Sequence, residues 1–170
     1  RLSIIDLSEE ASQPMISEKY KTILFFNGEI FNHNELRKEL EKDGEVFKTN
    51  HSDSEVVLIG LSKYGEDYIN KFNGQFAITF IDSKTDSIYL IRDRLGQKPL
   101  FYSISNSNLF FGSNLISVSK LSKNKKTDEN QLLNYLNLGV VPSPNTIIKD
   151  IYKVEPGSVI KVKMNNKKIQ

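Results

Sequence analysis

The sequence predicts a single domain of the α+β class. Its 170 residues suit one domain with its own core, and 38% of them are hydrophobic. Stretches with helical periodicity flank a middle region of short segments rich in Ile, Phe and Tyr, which is typical of strands. Neither an internal repeat nor a low-complexity linker divides the chain, so we predict one domain and not two.

Two of the three predicted helices are recognised by spacing and by stop signals. The first spans residues 34–43, where Leu36 and Leu40 lie one turn apart and Gly44 follows as a stop. The other spans residues 129–138, before a Val-Val-Pro-Ser-Pro run breaks the pattern.

The remaining helix has a clear predicted start at Ser52. The run Ser52-Asp53-Ser54-Glu55 fits a capping box, in which the Ser side chain and the Glu side chain satisfy each other's backbone N–H groups. Apolar or aromatic residues then recur at helical spacing, and they are Val57, Leu61 and Tyr64. Gly65 is predicted to end the helix.

Six short strands are predicted, five in the middle of the chain and one near its end. They span residues 21–26, 75–81, 87–91, 100–104, 109–112 and 159–162. Turn residues such as Asp, Ser, Asn, Gly and Pro separate the first five. The run 76–81 is almost continuously apolar, broken only by Thr79, which indicates a strand covered on both faces. A sheet between other layers follows from this prediction.

Composition and charge argue against several classes of partner. The formal net charge is only +2, and the most basic stretch, residues 120–126, contains no aromatic residue, so we interpret it as a solvated loop and expect no nucleic-acid partner. No apolar run reaches membrane-spanning length, and no signal-peptide pattern opens the chain, so we expect no membrane association and a cytoplasmic location.

The absence of cysteine restricts the chemistry further. Disulfides, cysteine-containing metal sites and a cysteine nucleophile are excluded within these residues. His33 and His51 have no partner at ligand spacing, so we expect no metal site. The chain begins at Arg1 and continues at once into an apolar, strand-like run at residues 2–7. Because natural domains rarely start inside a strand, we expect a segment upstream of Arg1.

Asn27-Gly28-Glu29 directly follows an apolar strand and is the first candidate for chemistry. Asn and Gly tolerate a sharp backbone turn that leaves an N–H exposed, and an exposed N–H beside an amide side chain can form an oxyanion hole. Asn-Gly is also the strongest short hairpin signal, and the local pattern alone favours a plain hairpin.

Asp53 and Arg1 are the other candidates. An acid in a first helical turn ordinarily just stabilises the helix dipole, although it could also meet a substrate ammonium group. A terminal Arg is ordinarily a surface charge, although it could clamp a carboxylate. Together these residues supply one cation, two anions, an amide and an N–H, which suit an α-amino acid with a reacting side-chain carbonyl. A nucleophile, a base, a G-x-S-x-G motif and a glycine-rich phosphate loop are absent.

At these residues the sequence resembles the class II glutamine amidotransferases, specifically the asparagine synthetase branch. The matching blocks, in order, are Arg1-Leu2-Ser3-Ile4-Ile5-Asp6-Leu7, Gln13-Pro14-Met15, Phe26-Asn27-Gly28-Glu29-Ile30-Phe31-Asn32, Ser52-Asp53-Ser54-Glu55, Phe72-Asn73-Gly74-Gln75-Phe76-Ala77, Arg92-Asp93-Arg94-Leu95-Gly96-Gln97-Lys98-Pro99-Leu100 and Pro156-Gly157. The resemblance covers essentially the whole chain. Glu29 narrows the branch, because related domains of purine and hexosamine synthesis have Asn-Gly without a following Glu.

The resemblance implies a fold, a reaction and a glutamine site. The fold is an N-terminal-nucleophile-hydrolase-like αββα sandwich of two antiparallel sheets with outer helices. The nucleophile is an N-terminal cysteine upstream of Arg1, whose own α-amine is the base. The implied site residues are Arg1 for the α-carboxylate, backbone near Ile4 and Ile5 for the pocket wall, Asn27 and Gly28 for the oxyanion hole, and Glu29 and Asp53 for the α-ammonium group.

The same resemblance implies that residues 1–170 form a glutaminase domain, incomplete at its N-terminus, with an exit at about residues 156–170 toward a synthetase domain. Ammonia from glutamine would pass to an ATP-activated aspartate there, with Mg²⁺. The glutaminase domain itself would need no cofactor, and a homodimer is possible. Ala11-Ser12 and Asn114 depart from the family's usual Gly-His and Glu, which leaves open another carboxylate acceptor, such as a surface-polysaccharide sugar, or a scaffold that has lost catalysis.

Overall fold

Two antiparallel sheets are the frame of the molecule. The computed structural model describes residues 12–165 and 168–169, so the strand expected at residues 2–7 lies outside the described residues. The strands are β1 (Met15–Ser17), β2 (Thr22–Ile30), β3 (Gly74–Asp82), β4 (Ser87–Arg92), β5 (Phe101–Ser105), β6 (Asn108–Gly112), β7 (Tyr152–Lys153), β8 (Val159–Asn165) and β9 (Lys168–Ile169). One sheet has the order β1-β2-β3-β4-β8-β9 and the other β6-β5-β7.

Four α-helices and one 3-10 helix are seen in the described part of the chain. They are α1 (His33–Lys42), α2 (Asp53–Tyr64), the 3-10 helix (Gly65–Lys71), α3 (Leu115–Ser122) and α4 (Glu129–Leu138). The predicted helices therefore form, within about one residue of their expected bounds. Gly65 ends α2 with a φ of 71°, as its stop signal predicts.

The elements stack as helices, sheet, sheet and helix. One core cluster joins the six-stranded sheet to α1 and α2, through side chains such as Leu24, Leu40 and Val56. A second cluster joins the two sheets, where Ala77 and Leu90 are in one core with residues of β5 and β6. Helix α3 packs on β5 and β6. This αββα arrangement confirms the predicted fold class.

Strand β3 lies at the centre of this arrangement. Residues 76–80 are buried without interruption, and alternate side chains enter the two core clusters. The prediction of a strand covered on both faces is therefore confirmed.

Two local predictions are wrong. Ser52 is the N-cap of α2, but its side chain makes no capping hydrogen bond. The Glu55 carboxylate instead accepts hydrogen bonds from the N–H groups of Lys48 and Thr49, and from the Thr49 hydroxyl, so it organises the preceding loop. The basic stretch 120–126 is not wholly a loop, because residues 120–122 end helix α3.

Candidate active site

Asn27, Gly28 and Glu29 lie within β2 and not in a turn, so the hairpin interpretation is wrong. In the register of β2 and β3, Gly28 is opposite Phe76, and the pairing continues to Ile30. Gly28 has a φ of 153°, and a Cβ atom there would lie 2.0 Å from the carbonyl oxygen of Gln75. Glycine is therefore required because the backbone of β3 approaches so closely.

The N–H of Gly28 points away from β3. Phe76 uses both of its backbone groups on Asp93: its N–H donates to Asp93 Oδ2 at 3.2 Å, and its carbonyl accepts from the Asp93 N–H at 2.9 Å. In an antiparallel ladder, two opposite residues either bond to each other or both direct their backbone groups outward. The backbone groups of Gly28 are therefore directed to the other edge of β2, on the side of β1.

The strand β1 begins at Met15, which pairs with Leu24 of β2. Further along this edge of β2, side chains bind the backbone in place of a strand. The side-chain amide of Gln13 accepts from the N–H of Phe26 at 2.7 Å and donates to its carbonyl at 2.8 Å. Further along, the N–H of Ile30 donates to Asp53 Oδ2 at 3.1 Å. Gly28 lies between these two positions, and within residues 12–165 no hydrogen bond to its N–H on this edge is seen. Among the described residues, the Gly28 N–H is thus an open donor.

The side chain of Asn27 faces the space between the two sheets. Alternation along β2 directs Leu24, Phe26 and Ile30 to the helices, so Asn27 is on the opposite face. There it lines a cleft of about 600 Å³. The other lining residues are mostly apolar and include Phe25, Ala77, Leu100, Leu109 and Phe111. An amide side chain and an open N–H therefore lie next to each other at the margin of an apolar cleft.

Asp53 is a buried carboxylate with little compensating charge. It is 5% exposed at the start of α2. Burial raises the pKa of Asp53, and the negative charge of Glu29 raises it further. The N–H groups of Ile30 and Ser54 and the side chain of His33 lower this pKa, but they do not cancel the increase. A cation placed between Glu29 and Asp53 would favour the ionised form of Asp53, so the pair is suited to an ammonium group.

The chain after β4 holds β3 in position behind Gly28. Asp93 is 1% exposed, and its carboxylate accepts from the N–H groups of Leu95, Gln97 and Lys98 as well as Phe76. Burial acts to raise the pKa of Asp93, but these backbone hydrogen bonds outweigh it and lower that pKa below its usual value. The chain then leads to Leu100, in the wall of the cleft.

Arg92 braces the same loop from the side. Its guanidinium group donates to the carbonyl oxygens of Gly96, Lys98 and Val154, at 2.7, 2.9 and 2.7 Å. The local sequence pattern alone predicts no role for Arg92 or Asp93. Asp followed by Gly three residues later is a turn signal that could have indicated the loop. The hydrogen bonds between the Gln13 side chain and the backbone of Phe26 have no local signal, because the two residues are 13 positions apart in the sequence.

The structure brings four of the seven predicted site residues together on β2 and at the start of α2. They are Asn27, Gly28, Glu29 and Asp53. The other three, Arg1, Ile4 and Ile5, lie outside the described residues.

The described ranges contain neither a cluster of metal-ligating side chains nor a membrane-spanning helix. Among residues 12–165 and 168–169, no three His, Asp or Glu side chains are close enough together to hold a metal ion. The helices of the same ranges include none that is both long enough and apolar enough to cross a bilayer.

Comparison with known proteins places this arrangement in a family. The sequence model of the glutamine amidotransferase domain matches residues 1–170. An asparagine synthetase (glutamine-hydrolyzing) 1 of Bacillus subtilis is 39% identical over 158 residues, which are 93% of this chain and 25% of that protein. A putative asparagine synthetase (glutamine-hydrolyzing) 2 of Methanocaldococcus jannaschii is 33% identical, covering 91% of this chain and 33% of its own length.

A solved structure supports the fold independently. Glutamine phosphoribosylpyrophosphate amidotransferase of Bacillus subtilis superposes with a TM-score of 0.64 at 16% identity, and the match covers 97% of this chain and 32% of that one. This likeness concerns the N-terminal-nucleophile-hydrolase fold alone. The chain spans a quarter to a third of the length of the curated relatives named above. On the match over residues 1–170, the chain belongs to the glutamine amidotransferase domain family.

Proposed function

We propose that this chain is the glutamine-hydrolysing domain of an asparagine synthetase, which converts glutamine to glutamate and ammonia for transfer to an ATP-activated aspartate. The observation that carries the proposal is the edge of β2. There, the open N–H of Gly28 lies between the Gln13 amide and the Asp53 carboxylate, next to the Asn27 side chain.

The spacing along this edge matches the substrate. Gly28 and Ile30, whose N–H binds Asp53, are two residues apart, which is about 6.5–7 Å along a strand. The five bonds from the α-nitrogen of glutamine to its side-chain carbonyl oxygen span about 6 Å at ordinary bond lengths. A glutamine whose α-ammonium group lies between Glu29 and Asp53 would therefore place its carbonyl oxygen near Gly28.

In the proposed reaction, residues of β2 bind charge as it develops. A cysteine thiolate upstream of Arg1, deprotonated by its own α-amine, attacks the side-chain carbonyl carbon of glutamine. The carbonyl oxygen becomes an oxyanion, to which the Asn27 amide and the Gly28 N–H donate. The α-ammonium returns its proton as the C–N bond breaks and ammonia leaves. Water then hydrolyses the thioester to glutamate and restores the thiol.

Three residues outside the described ranges complete the proposed site. Arg1 would hold the α-carboxylate of glutamine, because a guanidinium group can donate two parallel hydrogen bonds to it. Backbone groups near Ile4 and Ile5 would form the pocket wall. ATP and Mg²⁺ would bind in a synthetase domain of the full-length protein, and no cofactor is proposed for this domain.

The departure at Asn114 has a local structural reason. Asn114 is the N-cap of α3, and its side-chain oxygen accepts from the N–H of Ser117 at 3.0 Å. Asn is among the residues that favour this position. The residue therefore gives no reason to prefer a different acceptor.

The test is an assay of the full-length protein with glutamine, ATP and a set of carboxylate acceptors. We expect glutamate release, and asparagine formation that requires aspartate and ATP. Amidation of a sugar carboxylate in place of aspartate would overturn the acceptor while keeping the glutaminase. No glutamate release under any condition would overturn the glutaminase as well, and would favour the scaffold interpretation.

A further inference from the structure

Helix α4 is poorly covered by the described part of its own domain, where only Gln131 and Asn134 are half-buried. None of its ten residues is buried. Five are large apolar or aromatic side chains, and Leu133, Leu136 and Leu138 are 58%, 70% and 62% exposed. With Val140 just beyond the helix, these side chains form what we call the α4 patch: Leu132, Leu133, Tyr135, Leu136, Leu138 and Val140.

The α4 patch is concentrated and uncharged. The segment 116–140 contains half of the sixteen large hydrophobic residues that are exposed in the described ranges. Within residues 129–140 the only charged side chain is that of Glu129, at the start of the helix. Contiguous apolar patches of this kind mark places where another protein surface binds.

The helix is held at its ends, whereas its apolar side chains are exposed. The Asp128 carboxylate accepts from the N–H groups of Asn130 and Gln131, and Gly139 ends the helix with a φ of 73°. An N-cap such as Asp128 contributes roughly 1 kcal/mol. Helices shorter than about 12–15 residues are marginal in water without tertiary packing, so a helix of this length requires a surface to pack against.

We infer that the α4 patch binds the synthetase part of the same polypeptide, an inference that rests on the proposed function. The relatives named above are three to four times as long as the region that this chain matches, so a large part of their length is available as a neighbour. A neighbour in the same polypeptide is present at a high effective concentration, so the entropy cost of association is smaller and a small apolar contact is enough.

A second copy of the chain suits the patch less well. A ten-residue helix is about 15 Å long and about 10–12 Å across. One face of it provides far less than the roughly 800 Å² per partner that a stable dimer usually buries.

The test uses hydrogen exchange on the full-length protein, with Leu133→Glu/Leu136→Glu as the variant and Val46→Glu as the control. Val46 is 87% exposed and lies outside the patch. In the wild type we expect the amides of residues 129–138 to exchange at least ~100-fold more slowly than in an unstructured peptide, at every protein concentration. The double variant should lose at least ~10-fold of that protection and release more glutamate per amide product, whereas the control should change neither.

Three results would overturn the inference. They are unprotected exchange of α4 in the full-length wild type, protection that grows with protein concentration as dimers form, and a full-length polypeptide with no further domain. Failure of the proposed function gives a different result, because glutamate release would then be absent in every variant while the exchange of α4 could still be measured.

Discussion

Single residues of β2 and α2 form the proposed glutamine site, and Asp53 shows what such a site costs in stability. Its carboxylate is buried near that of Glu29, and its pKa is raised by that burial. A carboxyl group whose pKa is higher in the folded state than in the unfolded state lowers stability above that pKa. The cost disappears only when the pH falls below the ordinary value of 3.8, where Asp53 is protonated in both states.

The variant Asp53→Asn therefore tests the stability cost of the Asp53 charge separately from its proposed role in binding glutamine. The variant should melt at the wild-type temperature or slightly above it at pH 7, because it removes an uncompensated buried charge. The glutamine KM of the full-length enzyme should rise by ~10–150-fold, the equivalent of losing one charge-assisted hydrogen bond of roughly 1.5–3 kcal/mol. An unchanged KM would reduce Asp53 to a helix-start residue that binds no substrate.

Asn27→Ala tests the oxyanion hole. Because the amide is proposed to donate to the oxyanion and not to the ground-state substrate alone, glutamine-dependent turnover of the full-length enzyme should fall by ~10²–10³-fold. Turnover with free ammonia should be unchanged, since that nitrogen source bypasses the glutaminase. Asn70→Ala, at an exposed position of the 3-10 helix, is the matched control. Equal losses with glutamine and ammonia would indicate misfolding instead.

Among the elements, those with local signals were predictable and those with long-range causes were not. Helices α1, α2 and α4 carry periodic apolar residues and stop signals within their own sequences. The Asn-Gly pair of β2 has the local signal of a hairpin, and only the pairing with β3 shows that it is a strand.

The elements that the sequence does not predict lack local signals for physical reasons of the same kind. Helix α3 has the sequence Leu-Ile-Ser-Val-Ser-Lys-Leu-Ser, in which β-branched and Ser residues weaken the helical signal, and it forms on an Asn114 cap against β5 and β6. Strands β1 and β7 have three and two residues, too short for an alternating pattern. The bracing side chains of Gln13 and Asp93 act on the backbone of distant strands, which no local pattern reveals.

The conformation of the loop after β4 depends on the charge of Asp93. In Asp93→Asn an amide replaces a carboxylate that accepts four backbone N–H groups, so two donors lose their acceptor and face an NH₂ group. We expect a loss of at least ~1.5–3 kcal/mol in the free energy of unfolding. Thermal unfolding will measure this as a melting point lower by several degrees, roughly 2–4 °C per kcal/mol for a domain of this size.

The control for this variant is Asp82→Asn. Asp82 accepts hydrogen bonds from Lys84 and Thr85 in an exposed turn. Surface changes of this kind usually stay within about ±0.5 kcal/mol. Equal effects at the two positions would contradict the role assigned to Asp93.

At the scale of the whole molecule, the proposed glutamine site has no nucleophile within the 170 residues of this chain. The chain contains no cysteine, and no other motif supplies a nucleophile with its base. We therefore expect the 170-residue chain to release no glutamate from glutamine above a buffer blank. Steady release, followed with an assay for glutamate, would require a different nucleophile and a different mechanism.

The acid stability of the whole domain should depend on Glu45, which ties three parts of the chain together. Its carboxylate, 8% exposed, accepts from Lys19 at 2.6 Å and Tyr20 at 2.7 Å and lies 3.2 Å from the ammonium group of Lys63. Burial acts to raise the pKa of Glu45, but these partners outweigh it and lower that pKa from 4.5 to about 2. A carboxylate with a lowered pKa stabilises the fold fully above its unfolded value and loses that contribution as the pH falls through its folded value.

Glu45→Gln should therefore lower the melting temperature at pH 7, and the difference from wild type should shrink between about pH 4.5 and about pH 2. Thermal unfolding of wild type and variant across this range is the measurement. Glu66→Gln is the control, because Glu66 is half exposed and its distance to Lys161 is 3.7 Å, so its effect should be small at every pH. A Glu45→Gln difference that stayed constant from pH 7 to pH 2 would mean that packing around the side chain stabilises the fold and that the charge does not.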